Sequence, residues 1–106
     1  MMYRFMRVLV FFDLPIVTSE QRRIYTRFRK FLIRNGFVML QESVYSKICL
    51  NNSGVNAARD AVKKNRPTQG LVQLLVVTEK QFARMECITG AVNSEYITTD
   101  ERTVFL

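Results

Sequence analysis

Apolar and polar positions along the chain switch between two periods, and the switches mark out its elements. Val8, Leu9, Val10, Phe11 and Phe12 form an unbroken apolar run within residues 3–15, YRFMRVLVFFDLP. A short run so rich in β-branched and aromatic residues reads as a buried central strand. Thr18-Ser19-Glu20-Gln21 has capping-box spacing, with Thr18 as the cap and Gln21 reaching back. The helix that follows should stop near Gly36. At about 100° per residue it aligns Ile24, Phe28, Phe31 and Leu32 on one stripe. Phe37-Val38-Met39-Leu40 and residues 43–50 read as two strands parted near Gln41-Glu42. Asn51-Asn52-Ser53-Gly54 is a turn cluster able to cap a second helix, whose apolar stripe is Val55, Ala58 and Val62 and whose stop is Pro67. Residues 71–78, LVQLLVVT, form a second strongly apolar strand, expected beside the first in the centre of the sheet. Thr78 and Gln81 repeat the capping-box spacing and predict a helical turn through Phe82 and Arg84. Residues 85–89 read as a further strand, and residues 90–102 as polar loop.

Strand, helix, strand, strand, helix, strand is the ferredoxin-like βαββαβ order, an α+β fold with both helices on one face of an antiparallel sheet. A chain of 106 residues is large enough for one core. Residues 1–90 are expected to form that domain. Residues 91–106 are expected to form a loop and a tail, ending Thr103-Val104-Phe105-Leu106, that is exchanged within a homodimer. An apolar tail is suited to covering a sheet edge, and a second subunit offers one. The apolar runs are too short to span a bilayer. Arg4, Arg7 and Asp13 interrupt any signal-peptide pattern, so the expected location is cytoplasmic.

Charge changes the picture more than composition does. Sixteen Lys and Arg against nine Asp and Glu give +7, and eleven of the sixteen are Arg, whose planar fork suits phosphate oxygens. Six of them, Arg22, Arg23, Arg27, Arg29, Lys30 and Arg34, fall within thirteen positions of the first helix, opposite the apolar stripe. No acid follows Glu20 there, so no i,i+4 partner compensates them. Arg59, Lys63, Lys64 and Arg66 form a second basic patch on and after the second helix. Solvated helix faces also carry such charge, but the density points to a polyanion, nucleic acid being the commonest. The residues assigned to nucleic-acid contact are Arg22, Arg23, Arg27, Lys30, Lys63, Lys64 and Arg66.

Candidate chemistry is narrow. The chain has no histidine, and Cys49 and Cys87 lack CxxC spacing. This removes most zinc sites and every Ser-His or Cys-His scheme, and both cysteines are expected to be buried small hydrophobes. What remains is Asp13, a lone carboxylate where the first strand ends. Asp ahead of Pro15 also serves simply to open a turn. A single carboxylate is a poor Mg²⁺ site, although Mg²⁺ binds through one or two carboxylates while keeping its waters. Two Asp13 copies facing each other across a dimer axis would mend this.

The FFDLP strand end, the helix RRIYTRFRKFLIRNGF and the run Gln41-Glu42-Ser43-Val44-Tyr45 together resemble the smaller of the two universal CRISPR adaptation proteins, the CRISPR-associated endoribonuclease family. The segment TEKQFARM, residues 78–85, is similar to the branch found with type II systems. The resemblance implies a homodimer of ferredoxin-like domains that bridges subunits of the larger adaptation protein, the CRISPR integrase, and holds duplex DNA during spacer acquisition. It also implies metal-dependent endonuclease activity on single-stranded RNA or DNA in some members, with Mg²⁺ or Mn²⁺ as cofactor. The family's metal-binding Asp matches Asp13, as catalytic and metal residue. Phe12 stands where many relatives have Tyr, so a nearby hydroxyl is missing. Two alternatives remain open: a stand-alone Mg²⁺-dependent nuclease on single-stranded RNA or duplex DNA, and a non-catalytic basic nucleic-acid-binding module. An RNA-recognition module is disfavoured, because VYSKICL lacks the K/R-G-aromatic signature.

Overall fold

The computed structural model describes residues 5–90. Its elements are β1 (Met6–Asp13), α1 (Ser19–Arg34), β2 (Val38–Gln41), β3 (Val44–Cys49), α2 (Asn52–Lys64), β4 (Leu71–Thr78) and α3 (Glu79–Phe82). The strands form one sheet in the order β2-β3-β1-β4, with every pair antiparallel. This is the expected ferredoxin-like arrangement, with a short α3 added. The proposed tail, residues 91–106, lies outside the described residues.

Local chemistry sets the helix ends. Thr18 accepts from the Gln21 backbone N–H at 3.1 Å while the Gln21 side chain accepts from Thr18 N–H at 3.0 Å, so α1 has its full capping box. It ends at Asn35, followed by Gly36 at φ +87°, a conformation L side chains rarely take. Asn51 caps α2 by accepting from Gly54 N–H at 2.9 Å. Thr78 and Gln81 repeat the capping box on α3.

The core lies between the sheet and the two long helices. Val8, Val10 and Phe12 of β1 and Tyr45 and Cys49 of β3 meet Phe28, Phe31 and Leu32 of α1 and Val55, Ala58 and Val62 of α2. Phe12 is its aromatic hub, with ring centroids 5.2 Å from Phe28, 5.6 Å from Tyr45 and 5.8 Å from Tyr25. Ile33 is exposed on α1, as its place among the charges predicted.

Three expectations need correction. β4 neighbours β1 but lies at the sheet edge, not the centre. Its Val72, Leu74 and Val76 are only partly buried against the core, while Leu71 and Leu75 are exposed. Apolar content marks a strand's faces and says nothing of whether both its edges are paired. Residues 85–89 form no strand; they follow α3 without a ladder partner among the described residues. Finally, Cys49 is buried as expected but Cys87 is exposed. The strand that would have sheltered Cys87 does not form.

Candidate functional site

Asp13 is the last residue of β1 and lies opposite Leu71 of β4. Side chains alternate across a strand. Phe12 is locked into the helix-covered face by three rings, so Asp13 must project from the other face. Its carboxylate is exposed and has no hydrogen bond or ion pair among the described residues. The backbone beneath it is held tightly. A Cβ placed on Gly70 (φ +87°) would lie 2.7 Å from the Asp13 carbonyl oxygen and 3.1 Å from Leu14 Cα. The chain can enter β4 beside the end of β1 only because residue 70 has no side chain.

The face that carries Asp13 is uncovered over much of its area. Phe11 on β1, Ile48 on β3 and Leu71 and Leu75 on β4 share it by register, and all four are exposed. Among the described residues, its far end alone is closed, by α3. There Arg7 donates to Glu79 through Nε (2.9 Å) and a second nitrogen, reaches Ser46 Oγ at 3.3 Å, and stacks 4.1 Å from the centre of the Phe82 ring. Sequence reasoning did not find this fork-to-carboxylate lock. Its signal was an Arg on the open-face side of an apolar strand and a Glu in the first turn of a later helix.

The basic residues lie on the helix layer, on the opposite side of the sheet. Arg23, Arg27 and Lys30, with Thr26 and Arg34, line one shallow groove of about 270 Å³ along α1. Arg27 also lines a second cleft of about 330 Å³, where Arg66 reaches it from beyond α2. Not every assigned cation is free. Arg22 donates to the carbonyls of Ile16 (3.2 Å) and Val17 (2.8 Å), so it braces the turn leaving β1. Arg23 pairs with Glu20 one turn earlier, an i,i+3 partner that the i,i+4 reading missed. Arg29 Nε donates to the Tyr45 hydroxyl at 2.8 Å, which takes it off the free face. Lys63 and Lys64 are exposed at the end of α2, and Arg66 returns one bond to the Lys63 carbonyl at 2.8 Å.

Asp13 lines neither cavity, so neither cleft sets the carboxylate among the basic residues that line it. Among the described residues no three Cys, Asp or Glu side chains gather as a metal-binding group. No described helix is long and apolar enough to cross a membrane.

Comparison with known proteins gives this geometry a family. The model of the CRISPR associated protein Cas2 family matches residues 6–85, from the start of β1 to just past α3. The CRISPR-associated endoribonuclease Cas2 of Treponema denticola is 54% identical over 101 residues, covering 95% of this chain and all of the relative. That of Streptococcus mutans serotype c is 48% identical over 101 residues, covering 95% of this chain and 93% of the relative. A solved structure described as a crystal structure of cas2 superposes with a TM-score of 0.61 over 94% of this chain and 99% of its own, and at 16% identity it speaks for the fold alone. With the fold, the FFDLP strand end and these relatives in agreement, the chain belongs to the CRISPR associated protein Cas2 family.

Proposed function

We propose that the chain acts in CRISPR adaptation as a homodimer that bridges integrase subunits and holds duplex DNA while a spacer is acquired. The observation that carries this reading is the division of labour between the faces of the sheet. The helix layer presents Arg23, Arg27 and Lys30 along one groove, and the open face carries exposed apolar side chains suited to a second subunit. Lys63, Lys64 and Arg66 extend the phosphate-facing surface past α2. Arg22 contributes mainly by bracing the turn it bonds. Residues 91–106 are assigned to pairing with the partner's sheet, with the domain proper ending near residue 90. The place of action is the cytoplasm.

A second reading, metal-dependent endonuclease activity, is favoured by Asp13 itself. An exposed carboxylate without a protein partner is what a hydrated hard cation needs, and one or two carboxylates suffice for Mg²⁺. Each chain brings a single carboxylate to this strand end, so the fit requires both subunits of the dimer to present Asp13 at a shared position. Mg²⁺ bound there, or Mn²⁺ in its place, would polarise a phosphodiester or an attacking water. Family relatives carry the name endoribonuclease, and both single-stranded RNA and duplex DNA are candidate substrates.

One set of reactions separates the two readings: spacer integration by the integrase together with this chain, run beside Mg²⁺-dependent cleavage of single-stranded RNA and of duplex DNA. Asp13→Ala should abolish cleavage and leave integration intact. Replacing Arg23, Arg27 and Lys30 together should abolish integration. If the Asp13→Ala chain cleaves as well as the parent, the nuclease reading is wrong. If the triple replacement integrates normally, the scaffold reading is wrong.

A further inference from the structure

The cleft between α1 and the segment after α2 differs in kind from the basic groove beside it. Its lining joins Ile24, Phe28 and Phe31 of α1 to Pro67 of the segment after α2, with Arg27 and Arg66 contributing from the same two elements. Arg27 has no hydrogen bond or ion pair among the described residues, and Arg66 commits one nitrogen to the Lys63 carbonyl and keeps the rest of its fork. Glu20, the acid at the cleft, is held by Arg23. The result is a small cleft of mixed lining, in which apolar side chains and two guanidinium groups lie together. Its volume of about 330 Å³ falls at the small end of the range for ligand sites, about 300–1,000 Å³. A duplex cannot enter such a cleft; one nucleotide can.

We propose that this cleft seats a single unpaired nucleotide of a nucleic-acid strand tracking α1, its base between Ile24 and Pro67 and its phosphate on Arg27 and Arg66. The inference rests on the reading that α1 contacts nucleic acid. Continuity argues for a nucleotide over an acidic protein segment. Arg27 lines both the groove and the cleft, so a strand whose phosphates follow Arg23, Arg27 and Lys30 passes the cleft. Apolar contact with a base face tolerates any base, so the site would sense an unpaired nucleotide rather than a sequence.

The test uses fluorescence anisotropy of the full chain with three DNAs: a fully paired duplex, the same duplex with one extra unpaired nucleotide, and the same bulge with an abasic sugar. The unpaired nucleotide should bind about tenfold tighter than the abasic bulge, the size expected of removing about 55 Å² of apolar base surface from water. Thr68→Trp, an exposed position at the cleft, should fill the cleft and erase this difference while leaving the paired duplex unaffected. Ile24→Trp repeats the test from α1. Equal binding of the two bulges by the parent chain, or a difference that survives both tryptophans, overturns this proposal alone. Failure to bind any of the three DNAs overturns the α1 reading as well. If an acidic Phe-containing peptide binds the parent chain and loses binding in both tryptophan variants, while the bulges bind alike, the cleft belongs to a protein partner and the proposal falls.

Discussion

Replacing Gly70 by alanine tests whether the end of β1 is held as the geometry says. Two costs add at this position. The first is conformational: φ is +87°, and an L residue in the left-handed region loses about 1–2 kcal/mol. The second is steric: the new Cβ would lie 2.7 Å from the Asp13 carbonyl oxygen, 2.7 Å from Leu14 Cδ2 and 3.1 Å from Leu14 Cα. Two of these atoms are backbone, and Leu14 is itself buried, so neither strand end can simply swing away. Overpacking of this kind costs about 1–3 kcal/mol. Gly36 is the internal control. It has the same φ of +87°, but its nearest neighbours are Cε and Nζ of the Lys47 side chain at 3.4 and 3.6 Å, which can move. Alanine also stiffens the unfolded chain, returning about 0.4–1 kcal/mol at both sites. Gly36→Ala should therefore cost about 1 kcal/mol and Gly70→Ala about 2–4 kcal/mol. Urea unfolding of both variants measures the difference, and repeating it across protein concentrations separates any contribution from self-association. Because the clash falls on the Asp13 carbonyl, Gly70→Ala should also lower any Asp13-dependent cleavage while sparing duplex retention by α1. A Gly70→Ala chain as stable as Gly36→Ala would refute the close approach at Asp13.

Other perturbations probe other parts of the molecule. Glu79→Gln weakens the fork holding α3 to β1, where the Arg7 side chain is only 15% exposed; a loss of about 1.5–3 kcal/mol is expected, with faster amide exchange in α3 and an unchanged rate in α1. Thr18→Ala removes one half of the capping box and should cost about 1 kcal/mol in urea unfolding. Arg23→Gln, Arg27→Gln and Lys30→Gln should each reduce duplex affinity and flatten the plot of log affinity against log salt, by about 0.9 for each phosphate no longer neutralised. Arg29→Gln should instead lower stability with little change in that slope, because its Nε is committed to Tyr45.

The parts of this structure that were legible in the sequence are those decided by near neighbours. Thr18 and Gln21, three residues apart, specify their own capping box. Phe28, Phe31 and Leu32 announce a helix face by spacing, and Val55, Ala58 and Val62 do the same on α2. What escaped depends on residues far apart in the chain. The Arg7–Glu79 fork joins positions 72 apart. The engagement of Arg29 depends on where β3 sets Tyr45, and the edge position of β4 depends on β3 taking the other side of β1. Asp13 is intermediate. Its strand-end position could be read from FFDLP, but the face it occupies could not, because that follows from the burial of Phe12 against Phe28 and Tyr45.

That face bears on the two functional readings. Asp13 projects from the open side of the sheet, while the groove of Arg23, Arg27 and Lys30 lies on the helix layer beyond it. A duplex seated on the α1 groove therefore does not present its phosphates to Asp13 of the same chain, and salt-dependent affinity for that groove gives no assistance to hydrolysis at the strand end. The apolar side chains beside Asp13 sharpen the separation. Burying Phe11, Ile48, Leu71 and Leu75 against a second subunit would favour association by removing apolar surface from water, and the same closure would restrict access to the carboxylate. On the proposed reading, holding DNA and pairing the subunits therefore use opposite faces and do not compete. Cleavage would require a substrate to reach the seam between subunits, and this makes the scaffold the reading that the geometry favours.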